Sequence, residues 1–234
     1  MSSEEYFERV IHFDNPQFNI STSTSIDSIR ILQKYDSDES GVVWDASLML
    51  AKYLEHGRSI NCNKSFSNLS VVELGSGTGF LGIWMATLGS SVLLTDLNLT
   101  LIELNLKHNK EIVCCDYVQT AIFDWLDRTS YQTDKFLNWK PLKHIDLFLI
   151  SDCLYYKEGI DAIYQFIQWV LIDCRMDCQF LVSYEDRDDK AEMVQNFLEL
   201  LANNKYLEVT TIVNDQLHPE FRSPDLHIIK IIHC

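Results

Sequence analysis

Apolar positions along this chain fall into two patterns, and the two patterns take turns. Residues 70–74 (SVVEL) and 91–95 (SVLLT) are short apolar runs of strand length, whereas 79–88 and 98–109 space their apolar residues by three and four. In the second of these helical stretches Leu99, Ile102, Leu106 and Asn109 mark one face. The alternation continues with strands at 117–123, 144–151 and 178–184 and helices at 158–173 and 188–203. Strands separated by helices predict a parallel sheet covered on both faces. The end of the chain breaks this rule. Two β-rich runs, 205–213 (KYLEVTTIV) and 225–234 (DLHIIKIIHC), have only the loop NDQLHPEFRSP between them. No helical crossover fits there, so this last pair is expected to be antiparallel.

Ahead of the alternating region, YFERVIHF (6–13) and DSIRILQKY (27–35) are β-forming runs flanking the polar stretch NPQFNISTSTS, and they are expected to pair as a hairpin. Residues 42–57 have helical spacing, with Asp45 as the expected N-cap and Gly57 as the stop. The predicted architecture is a doubly wound α/β sheet of seven strands closed by a C-terminal antiparallel hairpin. A small N-terminal β extension, 1–41, precedes the main domain, 42–234.

Composition narrows the candidates for function. Hydrophobic residues make up 47% and charged residues 23% of 234, and no apolar run reaches membrane-span length, so a soluble cytoplasmic protein with no membrane contact is expected. The net charge of −15 argues against nucleic acid as a partner. Seven scattered cysteines show no CxxC spacing, so no metal site and free thiols in a reducing compartment are expected. His218 and His227 have no ligand-type neighbour in the sequence and read as structural.

The chemistry concentrates in VVELGSGTGFLG. Gly75, Gly77 and Gly79 follow a strand and open a helix, the position at which a doubly wound sheet brings its backbone against a ligand. Asp96 ends the next strand 21 residues after Gly75, near the offset of about 20 at which an acidic side chain takes ribose hydroxyls. NAD and S-adenosylmethionine (SAM) both carry that ribose, and a loop that merely turns the chain is the third reading. The tight GxGxG spacing departs from GxGxxG, and Glu73 at the loop's start would repel a pyrophosphate while suiting the cationic sulfonium and ammonium of SAM. Both features favour SAM.

The glycine loop, Asp96 and the closing β pair resemble the seven-β-strand (class I) methyltransferases. Within them, SDCLYY, with Asp152-x-x-Tyr155 after the fourth strand of the sheet, resembles the DxxY signature of a group of protein-lysine methyltransferases. GVVWDASLMLAKYLE, ELGSGTG, TDLN, SDCLYYKE, SYEDR and FRSPDLHIIKI extend the likeness in order over residues 26–232, and are similar to the lysine methyltransferases that act on valosin-containing protein. The loops at 55–69 and 127–143 match poorly.

The resemblance implies SAM as cofactor and transfer of its methyl group to a lysine ε-amine of a protein substrate. Valosin-containing protein is the first candidate, a chaperone or elongation factor the alternative, and a non-catalytic SAM binder the rival of another class; a monomer is expected. The resemblance also assigns roles. Asp152 orients the amine and Tyr155 walls the lysine channel. Trp44, Glu73, Gly75, Ser76, Gly77, Gly79, Asp96, Trp125 and Ser151 hold the cofactor, and Tyr184, Glu185 and Arg187 line the substrate side. Ser151 replaces a smaller residue of the related enzymes. Without the resemblance, Asp152 reads as a helix cap, Tyr155 as core and Arg187 as a surface ion pair.

Overall fold

The computed structural model describes residues 6–19, 24–35, 39–56, 66–115, 117–131 and 144–234. Gly57, expected to stop a helix, and Cys62 lie outside them. Strand β1 (Tyr6–Asn19) pairs antiparallel with β2 (Thr24–Lys34), with the register shifting between His12 and Gln17. The strands thus run further into the polar stretch than its composition suggested. Helix α1 (Asp45–Glu55) follows, then β3 (Ser70–Leu74), α2 (Phe80–Thr87), β4 (Ser91–Asp96), α3 (Thr100–His108) and β5 (Val118–Ile122). The short α4 (Arg128–Tyr131) precedes β6 (Leu147–Ser151), α5 (Lys157–Gln168), β7 (Gln179–Glu185), α6 (Ala191–Ala202), β8 (Leu207–Thr211) and β9 (Leu226–His233). Trp44, not Asp45, is the N-cap of α1, because its carbonyl already accepts the first bonds, from the N–H groups of Ser47 and Leu48.

The seven-stranded sheet has the order β5-β4-β3-β6-β7-β9-β8, with β9 antiparallel to both neighbours and the other pairs parallel. The closing pair is therefore antiparallel, as its short loop required. The chain runs outward from β3 to β5 on one side and from β6 to β8 and β9 on the other, so the order reverses between β3 and β6. A crevice must open there at the carboxyl ends of the strands.

Consecutive strand residues face opposite layers, and the apolar core divides accordingly. Val71, Leu94, Leu149 and Leu181 pack with α1, α2 and the hairpin, whereas Val72, Leu74, Phe148 and Phe180 pack with α5 and α6. Phe148 and Phe180 stack at 4.6 Å across adjacent strands, with Phe166 of α5 edge-on to both.

The hairpin is held by an arrangement that hydrophobic periodicity could not anticipate. Two buried asparagines one turn apart, Asn105 on α3 and Asn109 at its C-cap, take the place of a strand partner for β2. Asn105 accepts from the Leu32 N–H at 2.7 Å and donates to the Leu32 carbonyl at 2.9 Å. Asn109 accepts from the Arg30 N–H at 3.1 Å and donates to its carbonyl at 2.7 Å. An edge strand left bare would expose unpaired backbone groups. Asn105 also donates to the carbonyl of Thr78, tying the hairpin to the glycine loop.

His218 and His227 are not isolated, in contrast to their reading from sequence. His227 pairs with Asp186 at 2.9 Å, and His218 lies 3.3 Å from Asp14, which also meets His56 at 2.9 Å. Lys52 completes this knot, with its ammonium 2.5 Å from the other oxygen of Asp14. The partners come from β1, α1 and the β8–β9 loop, far apart in the chain. Burial pushes Asp14 up, but the Lys52 hydrogen bond and charge and the charges of His218 and His56 outweigh it and hold the carboxyl below its ordinary range. Asp14, His56 and His218 could each offer one ligand atom to a metal, but a lysine already neutralises the shared carboxylate, and an ion-pair knot describes them.

Candidate active site

The crevice at the switch point is built from three loops and the start of α1. After β3 the chain must turn from sheet to helix while staying close to β4 and β6. Gly75, Gly77 and Gly79 do this with φ of 64°, 53° and 78°, a region that costs other residues about 1–2 kcal/mol each. At Gly75 space matters as much: a Cβ there would lie 2.6 Å from Cys153 Sγ and 3.1 Å from the Trp125 ring. The Ser76 N–H donates to the Thr95 carbonyl at 2.9 Å, and the Thr95 N–H returns a bond to Ser76 Oγ at 3.1 Å, stitching the loop to β4.

Asp96 sits where β4 ends. One carboxylate oxygen accepts from the Gly77 N–H at 2.8 Å, the other from the Leu97 N–H at 2.7 Å. The acidic side chain is thus held rigid by backbone donors and borders the glycine loop directly. Trp125, buried after β5, and Phe123 wall the same end of the crevice, with Asp124 between them.

Glu73 also lines the crevice, but not as the formal charge its sequence position suggested. The residue is 3% exposed, and burial, reinforced by the nearby Asp96 and opposed by hydrogen bonds to Ser76 and Gly82, pushes its carboxyl up to about 8. At neutral pH it is therefore largely protonated, and the argument that its charge excludes pyrophosphate is overturned. Its role in the fold is to accept the Gly82 N–H at 3.0 Å, which clamps α2 to β3. Gly82, the odd glycine of the motif, is there because a Cβ would fall 2.7 Å from that carboxylate oxygen.

This gives a stability prediction with a definite sign. The folded carboxyl keeps its proton up to about 8 while the unfolded one loses it near 4.5, so folding stability falls as pH rises through that window and levels off above it. Glu73→Gln keeps the acceptor without the charge. It is expected to flatten this slope and to stabilise the protein at pH 8.5 by a few kcal/mol, with about 5 as the upper bound from the shift. Urea midpoints at about pH 5 and pH 8.5 for both proteins check this.

Across the crevice, β6 ends at Ser151 and Asp152 follows. Asp152 is one of two described non-glycine residues with positive φ, at 54°. Its N–H donates to the Ser183 carbonyl at 2.8 Å, continuing the β6–β7 ladder while the side chain swings out of the sheet. Ser183 Oγ donates to Ser151 Oγ at 3.0 Å, so the hydroxyl that distinguishes Ser151 is used within the sheet. A non-glycine residue held in the left-handed region at the lip of a cleft carries strain that the surrounding hydrogen bonds must enforce. The Asp152 carboxylate, 6% exposed, receives Arg187 Nη2 at 2.7 Å, and the same nitrogen lies 2.9 Å from Glu185 Oε2.

Trp44 leans over this pair from the start of α1, its ring 5.2 Å from the Arg187 guanidinium carbon. Tyr155 and Tyr156 stand together on the adjoining wall, ring centroids 4.9 Å apart. The fold thus brings Trp44, Glu73, Gly75, Ser76, Gly77, Asp96, Trp125, Ser151, Asp152, Tyr155 and Arg187 to one crevice. Gly79 shapes the loop from behind, against Ile102 and Leu94. Tyr184 is not part of it: it is buried beside His227 and borders a separate hollow with Asp186 and Asp225, and burial, aided by Asp186, pushes its phenol up to about 12. Glu185 reaches the site only through Arg187.

Several wall residues escaped the sequence reading, Phe123, Cys153 and Tyr156 among them. Cys153 is buried against the glycine loop, its thiol pushed well above the ordinary range by burial and by the neighbouring acidic groups Asp96 and Asp152, so it acts as filler and not as a nucleophile. Tyr156 rests on Gly159, where a Cβ would meet the ring at 2.4 Å. The tyrosine-glycine spacing was the only available signal for that contact. An open hollow of about 930 Å³ lies at the opposite ends of the strands, by His144, Asp146 and Gln179, where this sheet type places no ligand.

The lysine methyltransferase family matches residues 24–204 of this chain. Protein N-lysine methyltransferase METTL21A of Danio rerio is 30% identical over 161 residues, 63% of this chain and 68% of that one. EEF1A lysine methyltransferase 3 of Xenopus tropicalis is 27% identical over 192 residues, 77% and 78% respectively. Among solved structures, the putative methyltransferase SMU.776 complexed with S-adenosylhomocysteine (SAH) superimposes with a TM-score of 0.56 at 13% identity, covering 100% of this chain and 57% of that one, a likeness of fold.

The crevice suits such a cofactor. Gly75 and Gly77 let the loop pack closely on Cys153, Trp125 and Ser40 while lining the crevice, Asp96 is rigid at the end of β4, and Trp125 offers a flat apolar wall.

Proposed function

This chain belongs to the lysine methyltransferase family, and from that premise we propose that its substrate is valosin-containing protein, methylated on a lysine ε-amine. The activity itself, SAM-dependent protein-lysine N-methylation, is that of the family. The bound cofactor supplies an electrophilic methyl group. What the chain must supply is a neutral amine in line with it. At pH 7 only about one lysine in a thousand is unprotonated, a cost of about 4 kcal/mol, and a dry channel lowers that cost by disfavouring the charged form.

The choice of substrate rests on the sequence blocks from GVVWDASLMLAKYLE to FRSPDLHIIKI, and the observation that supports the amine chemistry is Asp152, a buried carboxylate held in left-handed backbone at the carboxyl end of β6, facing the glycine loop across the crevice. In this reading Asp152 receives and orients the substrate amine. Tyr155, with Tyr156 and Trp44, encloses the lysine stem and offers ring faces to methylated ammonium. Gly75, Gly77, Asp96 and Trp125 hold the cofactor, with Glu73, Ser76, Gly79 and Ser151 shaping their support. Arg187 and Glu185 form the outer rim on the substrate side. Residues 42–234 are taken as the catalytic domain and 1–41 as its β extension, acting as a monomer in the cytoplasm. No described helix is long and apolar enough to cross a membrane.

The relatives favour one alternative substrate. A relative named for EEF1A shares this family, so an elongation factor is the second reading. Incubation with isotopically labelled SAM and, separately, purified valosin-containing protein and elongation factor 1A decides between them, with mass spectrometry locating the methyl group. Label on a lysine of valosin-containing protein supports the proposal. Label confined to the elongation factor replaces it, and no label on either protein sinks both.

A further inference from the structure

We propose that Arg187 is an internal stand-in for the substrate lysine: its Nη2 occupies the cation seat on Asp152, and the incoming ammonium must displace it. The inference rests on the reading of Asp152 as the partner of the amine and adds how that seat is guarded.

The geometry is that of a cation seat already filled. Arginine beside a carboxylate usually presents two parallel N–H groups, and a fork of that kind marks a structural pair. Here a single nitrogen, Nη2, makes both contacts, 2.7 Å to Asp152 and 2.9 Å to Glu185. The guanidinium carbon lies over the Trp44 ring at 5.2 Å. One nitrogen between two carboxylates under an aromatic face is the environment a lysine ammonium would seek. Arg187 enters from the outer rim, on the loop just after β7, with 28% of its side chain exposed, while the carboxylate it covers is only 6% exposed. The cation can therefore withdraw toward solvent, and the anion cannot.

Arg187 is not what holds Asp152 in its unusual conformation. That backbone is fixed by the N–H of Asp152 on the Ser183 carbonyl, part of the sheet itself. Glu185, 37% exposed, offers the guanidinium a place to stay once it leaves Asp152. Substrate entry is then an exchange of one cation for another, and the ammonium gives its proton to solvent afterwards, as the dry channel closes on the stem and disfavours the charged form. The buried carboxylate is never left bare, and a neutral side chain cannot drive the exchange because it would strip a charge of its partner without replacing it. Competition of this kind weakens the apparent affinity for the true substrate in return for selecting a cationic one.

The test uses the full chain saturated with SAH and titrated with n-butylammonium chloride, a lysine side chain without its backbone, at fixed ionic strength. Binding is read by calorimetry and by the NMR signals of the arginine side chains. Arg187→Met keeps an unbranched side chain at the rim and removes the competitor. It is expected to bind butylammonium about tenfold more tightly than the unaltered protein, as removal of a competitor predicts. Equal or weaker binding would mean that Arg187 builds the seat, and overturns the proposal. The double variant Arg187→Met/Asp152→Asn is expected to lose the gain. If it binds as tightly as Arg187→Met, Asp152 is not the amine's partner, and the failure belongs to the underlying reading and not to the guard. Arg187→Met is expected to unfold at a lower midpoint, because it bares the Asp152 carboxylate, and unchanged SAH affinity in the variant establishes that the crevice is intact in the comparison.

Discussion

Asp152→Asn is expected to lower methyl transfer by on the order of 10²–10³-fold, the loss typical of removing one preorganised polar group from a reacting centre. The affinity for SAH should meanwhile change by less than about threefold, under 1 kcal/mol. Asparagine is the informative replacement because of the backbone. With φ at 54°, position 152 suits Asp and Asn better than any other side chain with a Cβ, so alanine would mix a loss of charge with a backbone penalty of about 1–2 kcal/mol. Asn keeps the shape, leaves the N–H on the Ser183 carbonyl and removes only the negative charge that Arg187 now covers. Single-turnover transfer measured beside SAH calorimetry separates the two effects. Full turnover in the variant would show that the carboxylate is not what the amine meets, and loss of SAH binding would show that Asp152 serves the cofactor.

Gly75→Ala carries the second large effect, on the cofactor side. Two costs coincide at this position. The φ of 64° penalises any Cβ, and the Cβ would fall 2.6 Å from Cys153 Sγ and 3.1 Å from the Trp125 ring, both buried side chains with nowhere to move. The loop or Trp125 must shift, and either change spoils the crevice at its tightest point. We expect SAH affinity to fall by on the order of 100-fold, equivalent to about 2.7 kcal/mol. Adding Cys153→Ala opens space behind the loop, and should recover part of the loss but not the backbone component. Wild-type SAH affinity in Gly75→Ala would mean that the cofactor lies elsewhere. Failure of Cys153→Ala to help would assign the whole effect to backbone strain.

Much of this architecture was legible before any coordinates. The change from short apolar runs to helical spacing located β3, α2, β4 and α3 to within about two residues, because each helix must bury one face and the sheet both of its faces. The terminal antiparallel pair followed from loop length alone, since a parallel return needs a crossover that NDQLHPEFRSP cannot hold. The glycine spacing and the offset of Asp96 were readable for the same reason: backbone geometry after a strand is local, and so is its residue requirement.

Long-range polar contacts left no such trace. Nothing periodic says that Asn105 and Asn109 will face the β2 backbone, that Asp14 will gather Lys52, His56 and His218, or that Arg187 will reach back to Asp152. The reading of Glu73 failed for this reason. Sequence supplies the formal charge, but burial supplies the proton, and burial is a property of the assembled layers. Tyr184 differs likewise, because alternation along β7 puts it with Phe180 and Val182 on the face covered by α5 and α6, away from the crevice.

By itself, then, the sequence determined the class of fold, the strand after which a ligand must lie and the motifs of a lysine methyltransferase, since these depend on local backbone and on the alternation of apolar faces. Only the tertiary structure decided which charges are real, which side chains share the crevice and what already sits on Asp152. Those properties arise where residues far apart in the chain, such as Arg187 with Asp152 and with Trp44, 35 and 143 positions away, meet in a medium from which water has been withdrawn.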